Sequence, residues 1–163
     1  MINIIYSKKP ATLEDISDFE REIKGVLPID YKNFLMKHNG GQPQPDSFKF
    51  FSDRNDASSV DRFLSLGKEK NSNLLKYYNN YKDRIPSGFI PIAHDAGGNL
   101  IIMGLKDNEN KIYFWDHEIE VDEGETPDMS NVYLINESFS DFINNLYEEV
   151  IKVKLRPSYR PFY

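Results

Sequence analysis

Between Phe89 and Trp115 the chain runs through three short apolar, β-branched segments, Phe89–His94, Asn99–Leu105 and Lys111–Trp115. Two tight breaks part them, Asp95-Ala96-Gly97-Gly98 and Lys106–Asn110. Turns this short join antiparallel strands, because a parallel crossover takes a dozen or more residues. This stretch therefore predicts an antiparallel meander and rules out both a helical bundle and a doubly wound parallel sheet. Val132–Ile135 reads as a further strand, Phe48–Phe51 as a short one, and Val60–Leu66 as another.

The flanks have a different period. Thr12 is placed to cap a helix, with Asp15 as the acidic partner of a capping box and Leu13, Ile16, Phe19 and Ile23 as one apolar stripe ended by Gly25. Pro28 suits the first turn of a second helix, Ile29–His38, with Tyr31, Phe34 and Leu35 facing inward. Asn39-Gly40-Gly41 supplies its left-handed stop, and Gln42-Pro43-Gln44-Pro45 is expected as a surface connection. Leu74–Tyr81 reads as a helix with Leu74, Leu75, Tyr78 and Tyr81 on one face. Ser138 caps a last helix whose stripe is Phe139, Phe142, Ile143 and Leu146. Helices at both ends with strands between them predict an α+β fold, an antiparallel sheet with N-terminal and C-terminal helices packed on it. A length of 163 residues suits a single domain, with residues 150–163 as a basic C-terminal tail.

Charge separates the function classes. The chain carries 20 Lys and Arg against 26 Asp and Glu, a net charge of −6, which disfavours general nucleic-acid binding through counterion release. The absence of cysteine removes disulfides, thiol catalysis and Cys-ligated metal sites. No segment reaches the roughly 20 apolar residues a membrane span requires, and the start lacks the layout of an export signal, so the expected compartment is the cytoplasm. No Lys or Arg occurs between Lys111 and Lys152, whereas eleven acids do, seven of them within Asp116–Asp128. Like charges so crowded repel one another, and an acidic surface speeds association with a basic partner by about 10–10³-fold. A solvated acidic loop that only aids solubility is the plainer reading. The tail reverses the sign, with Lys152, Lys154, Arg156 and Arg160 alternating in part with Ile151, Val153 and Leu155, as in an edge strand. Folding back on the acidic surface and exchange of the arm in a weak homodimer are both compatible with that pattern.

Three histidines test for catalysis or metal binding. His38 stands at a helix C-terminus, where a cation complements the dipole. His94-Asp95 and Asp116-His117-Glu118 fall on one rim of the meander, with Asn99 between them, about two strand spacings or ~10 Å apart. That is wide for shared ligation, and no His-Glu-x-x-His helix, Gly-x-Ser-x-Gly elbow or phosphate loop is present. Gly97-Gly98 belongs to a β turn instead of a phosphate cradle. Neither a catalytic residue, a cofactor nor a metal ligand is assigned. On the strand Tyr113-Phe114-Trp115 the side chains alternate, so one or two face the core; Trp115 is expected there, and Tyr113, if it is the exposed member, adds an aromatic anchor beside the acidic rim.

The pieces Leu27-Pro28-Ile29-Asp30-Tyr31, Phe34-Leu35 and Asn39-Gly40-Gly41 resemble the N-terminal signature of the SUKH superfamily, named partly for the fungal Smi/Knr regulators of cell-wall synthesis. The likeness continues through Phe89-Ile90-Pro91-Ile92-Ala93, Gly97-Gly98-Asn99, Tyr113–Glu118 and the closing helix, over about residues 12–149. Many members carry an acid where this chain has Gly104, so any role of that acid is not carried over. The resemblance implies a binding module: bacterial members resemble immunity proteins against polymorphic toxins, many of them nucleases, and fungal members resemble regulators. The expected partner is thus a basic protein toxin, met through Asp95, Asn99, Tyr113, Asp116, Glu118, Glu120, Asp122, Glu123, Glu125 and Asp128. A regulatory or scaffold protein is the second reading and a metal-dependent enzyme the third.

Overall fold

A computed structural model describes residues 2–54 and 56–150. The expected edge strand and cationic arm from Ile151 onward lie outside these residues. Four helices and antiparallel sheets make up the α+β fold. The meander is its centre. Five strands, β5 (Arg62–Phe63), β6 (Phe89–His94), β7 (Leu100–Gly104), β8 (Ile112–Trp115) and β9 (Val132–Asn136), lie in sequence order, each antiparallel to the next.

The pleat of this sheet separates two apolar layers. Ile90, Ile92, Ile101, Met103, Ile112, Phe114 and Ile135 face the larger core, together with helices α1 (Leu13–Ile23), α2 (Ile29–Lys37) and α4 (Phe139–Asn144). Phe89, Leu100, Ile102, Trp115 and Val132 form a second layer on the other face, covered by Ile85 and by Tyr77 and Tyr81 of α3 (Leu74–Tyr81). Trp115 is fully buried, as expected, but Tyr113 shares its face and is half-buried. Burial on both faces explains why β6 and β7 are apolar almost throughout.

The helix signals are honoured with local differences. Thr12 and Asp15 form the reciprocal capping box, and the Thr12 N–H and hydroxyl donated to Asp15 hold its carboxyl below the usual range. Leu13 is 70% exposed, because Ala11, bonded to the Leu35 carbonyl, fills the core at that end. Lys24, not Gly25, adopts the left-handed conformation that ends α1. Gly25 serves close approach instead: a Cβ there would sit 2.8 Å from Leu105 Cδ1. His38 is the terminal cap of α2, its backbone N–H donating to the Phe34 carbonyl; burial and the neighbouring Lys37 lower its pKa.

Gln42-Pro43-Gln44-Pro45 is more than a connection. Gln42–Gln44 forms β2, paired with β1 (Asn3–Ile5) in a two-stranded ribbon where a proline is tolerated at an edge. The preceding Asn39-Gly40-Gly41 runs through three successive left-handed residues. The Asn39 side chain, buried, donates to the Lys9 and Leu66 carbonyls and accepts the Leu66 N–H, tying three distant segments together. The expected Phe48–Phe51 strand is β3 (Ser47–Lys49), paired with β4 (Ala57–Ser59). The expected Val60–Leu66 strand shortens to β5 because its amides go to different neighbours: Val60 to Asp46, Asp61 to His94, Phe63 to Gly41 and Leu64 to Ile92. At Gly104 a side chain is excluded, since a Cβ would collide with Asn108 Cβ and lie 2.9 Å from its carbonyl oxygen.

Candidate functional site

The acidic segment leaves the sheet at the end of β8 and returns at β9. Its base is closed reciprocally: the Asp116 N–H donates to the Asn131 carbonyl at 3.0 Å, and Asn131 Nδ2 donates to the Asp116 carbonyl at 2.8 Å. Asn131 is buried. What lies between, residues 117–130, is a compact surface loop with adjoining ends, the Ω type. It opens with a short 3₁₀ turn, His117–Ile119, whose Glu118 N–H donates to the Asp116 carboxylate at 2.9 Å. It turns back at Gly124, φ +91°, with the Glu125 N–H donating to the Asp122 carbonyl. Near its end Asp128 accepts the Ser130 N–H, and hydrogen bonding from Ser130 keeps its carboxyl below the usual range.

Two side-chain tethers fix the loop to the body. On one side Asn99 Oδ1 accepts the His117 N–H at 3.1 Å and faces His117 Nδ1 at 2.6 Å, so Nδ1 carries the proton for that contact. On the other, the Arg84 guanidinium grips Glu120 with two bonds, Nε to Oε2 at 3.1 Å and NH2 to Oε1 at 2.7 Å. Its carbon also sits 4.7 Å from the Tyr81 ring centroid and 5.7 Å from that of Trp115. An open groove of about 530 Å³ follows, lined by Asp83, Arg84, Glu120, Asp122, Glu123 and Glu125 among others.

The expected shared rim exists, and Asn99 knits it. Asp95 Oδ1 accepts the Gly97 and Asn99 N–H groups at 2.9 and 2.8 Å, while Oδ2 accepts Asn99 Nδ2 at 2.8 Å and the Ser58 hydroxyl at 3.0 Å. Asp95 is buried, so its carboxylate braces the turn from within. Its neighbour His94 turns elsewhere: the ring stacks on Tyr77 at 5.6 Å, with Nδ1 3.6 Å from Asp61. Among the described residues no three His, Asp or Glu side chains gather as a metal group.

Of the residues assigned from sequence, Glu118, Asp122, Glu123, Glu125 and Asp128 are exposed on the loop, and Asp116 and Glu120 are partly covered. Asp95 and Asn99 sit beneath it as supports. Tyr113 is not brought to the loop. It packs edge-to-face on Phe89 at 5.4 Å, with Lys111, Glu137 and Glu109 as its charged neighbours, and burial raises its pKa. Arg84 and Asp83, absent from the sequence reading, complete the groove; no spacing rule links Arg84 to an acid 36 positions away. Ile119 and Met129, 53% and 45% exposed, add apolar surface to the same loop.

An antiparallel meander capped by helices, with a pinned loop at its rim, is an α+β domain of SUKH type. The chain belongs to the SMI1 / KNR4 family (SUKH-1), whose model matches residues 10–145. It is similar to the SPbeta prophage-derived uncharacterized protein YokK of Bacillus subtilis (strain 168), 34% identical over 157 aligned positions, with 86% of this chain and 77% of that protein covered. It is also similar to the uncharacterized protein YobM of the same organism, 33% identical over 89 residues, 53% of this chain and 45% of that protein. Among the described residues no helix is long and apolar enough to cross a membrane.

Proposed function

We propose that this protein is an immunity-type binding protein that neutralises a basic toxin, of the nuclease class, by laying the acidic loop over the toxin's active site or substrate path. The observation that carries this reading is the groove in which Asp83, Glu120, Asp122, Glu123 and Glu125 surround one cation, Arg84. A nuclease must attract phosphate, so its active surface is positive and complementary to such a groove. Family membership and a prophage-derived relative support the same reading. No bond is made or broken by the chain in this account; inhibition is occlusion.

Co-expression with the product of a neighbouring gene, followed by pull-down, identifies the partner. Stopped-flow association then tests the surface. Asp122→Lys, Glu123→Lys and Glu125→Lys together are expected to slow association at least ~10-fold and to flatten its salt dependence. Unchanged kinetics refute the surface. The match to a family model that carries the fungal Smi/Knr names favours a second reading, a regulator without a toxin partner. That reading expects no adjacent toxin gene and no captured nuclease.

A further inference from the structure

We propose that Arg84 is a positioning residue, a latch that holds the acidic loop in the shape in which it docks. This rests on the reading of the loop as the docking element, but its test needs no partner. The backbone of Arg84 is itself fixed, since the Arg84 and Ile85 N–H groups both donate to the Tyr81 carbonyl, at 2.8 and 3.0 Å. The next residues, Ile85 and Pro86, are buried. From this footing the side chain crosses the rings of Tyr81 and Trp115, which meet edge-to-face at 5.8 Å, and ends on Glu120. The guanidinium thus joins the second core layer to the charged loop just after its opening turn.

Elsewhere along that loop the attachment is thin. Among the described residues, those from Val121 to Met129 form hydrogen bonds only within the loop and with its closing residues Ser130 and Val132. Five carboxylates around the groove repel one another, and the one cation lining it, Arg84, is bonded to Glu120. Arginine suits the task better than lysine, because its planar fork engages both carboxylate oxygens while its face stacks on the rings. The bidentate pair and the ring contacts together correspond to roughly a 5- to 30-fold bias toward the latched loop.

Hydrogen–deuterium exchange on the full chain tests this, with the single Trp115 as a fluorescent reporter beside the latch. In Arg84→Met, which keeps apolar contact with the rings, the hydrogen-bonded loop amides of Glu118 and Glu125 are expected to exchange roughly 5- to 30-fold faster than in the parent. The strands should stay unchanged, and Trp115 emission should shift. Glu120→Gln, made from the loop side, should give the same local pattern, and Arg84→Lys an intermediate one. Exchange within two-fold of the parent in both Arg84→Met and Glu120→Gln overturns the latch. So does faster exchange spread evenly through the sheet. Either outcome leaves the charge-reversal test of docking intact, and failure to capture a toxin leaves the latch intact.

Discussion

The buried carboxylate of Asp95 offers the sharpest test of how the rim is built. Asp95→Ala removes an acceptor for two backbone N–H groups, one amide and one hydroxyl. Bonds to a charged acceptor contribute ~1.5–3 kcal/mol each when counted singly. Here four share one group at a partly hydrated turn, so the expected total is about 3 kcal/mol. For a domain of this length that lowers Tm by roughly 6–12 °C. Asp95→Asn is the more telling variant. Its oxygen can still take the Gly97 and Asn99 N–H groups, but its NH2 then confronts Asn99 Nδ2. If Asn99 flips to relieve that, its own NH2 faces the His117 backbone N–H, which has no alternative tautomer. The mismatch moves along the rim instead of vanishing, at a cost of about 2 kcal/mol. Urea denaturation gives the stability, and amide exchange at His117 follows the displacement. An Asp95→Asn protein within ~0.5 kcal/mol of the parent, with His117 exchange unchanged, would falsify the relay.

Two further variants probe buried or crowded positions. The Tyr31 hydroxyl is fully buried with no hydrogen-bond partner among the described residues and packs beside Phe34 and Phe139, so Tyr31→Phe should leave stability unchanged or raise it by about 1 kcal/mol in thermal melts. Burial raises the Tyr31 pKa far above its ordinary value. The neutral ring is therefore favoured by the fold: that stability is fully present below about pH 10 and is lost as pH rises beyond it. Tyr31→Phe should remove part of the alkaline destabilisation seen in pH-dependent melts. Gly104→Asp should destabilise by about 1–3 kcal/mol because its Cβ meets Asn108; melts matching the parent would show that the 106–108 turn yields easily.

The parts of this fold legible in sequence are those written in local chemistry. The capping box of α1, the Ser138 cap of α4 and the turn glycines needed only neighbours a few residues away, and the meander announced itself through apolar runs and short breaks. What stayed hidden depends on long-range partners. Two prolines in Gln42–Pro45 argued against a strand, yet the β1 partner, some forty residues earlier, accommodates Pro43 at an edge. Leu13 fitted the α1 stripe, but only tertiary packing decided that Ala11 would cover that end. Asp95 and Glu118 look alike as letters in an acidic chain. One is enclosed by Ser58, Gly97 and Asn99, and the other faces solvent. Arg84 carried no signal because its partner is chosen by the placement of α3 against the second face.

The reciprocal closure between Asp116 and Asn131 has a consequence for how this scaffold can diversify. Because strand pairing is complete before the chain departs and resumes after it returns, whatever is threaded between those two positions leaves the sheet's register alone and meets the body through the Asn99–His117 and Arg84–Glu120 tethers. Length, sign and shape there can change as a cassette changes, while the frame that displays it keeps its register. On the proposed docking role, a segment transplanted from a relative should therefore carry its recognition with it, provided the two clasping residues and the loop partners of Asn99 and Arg84 stay in place.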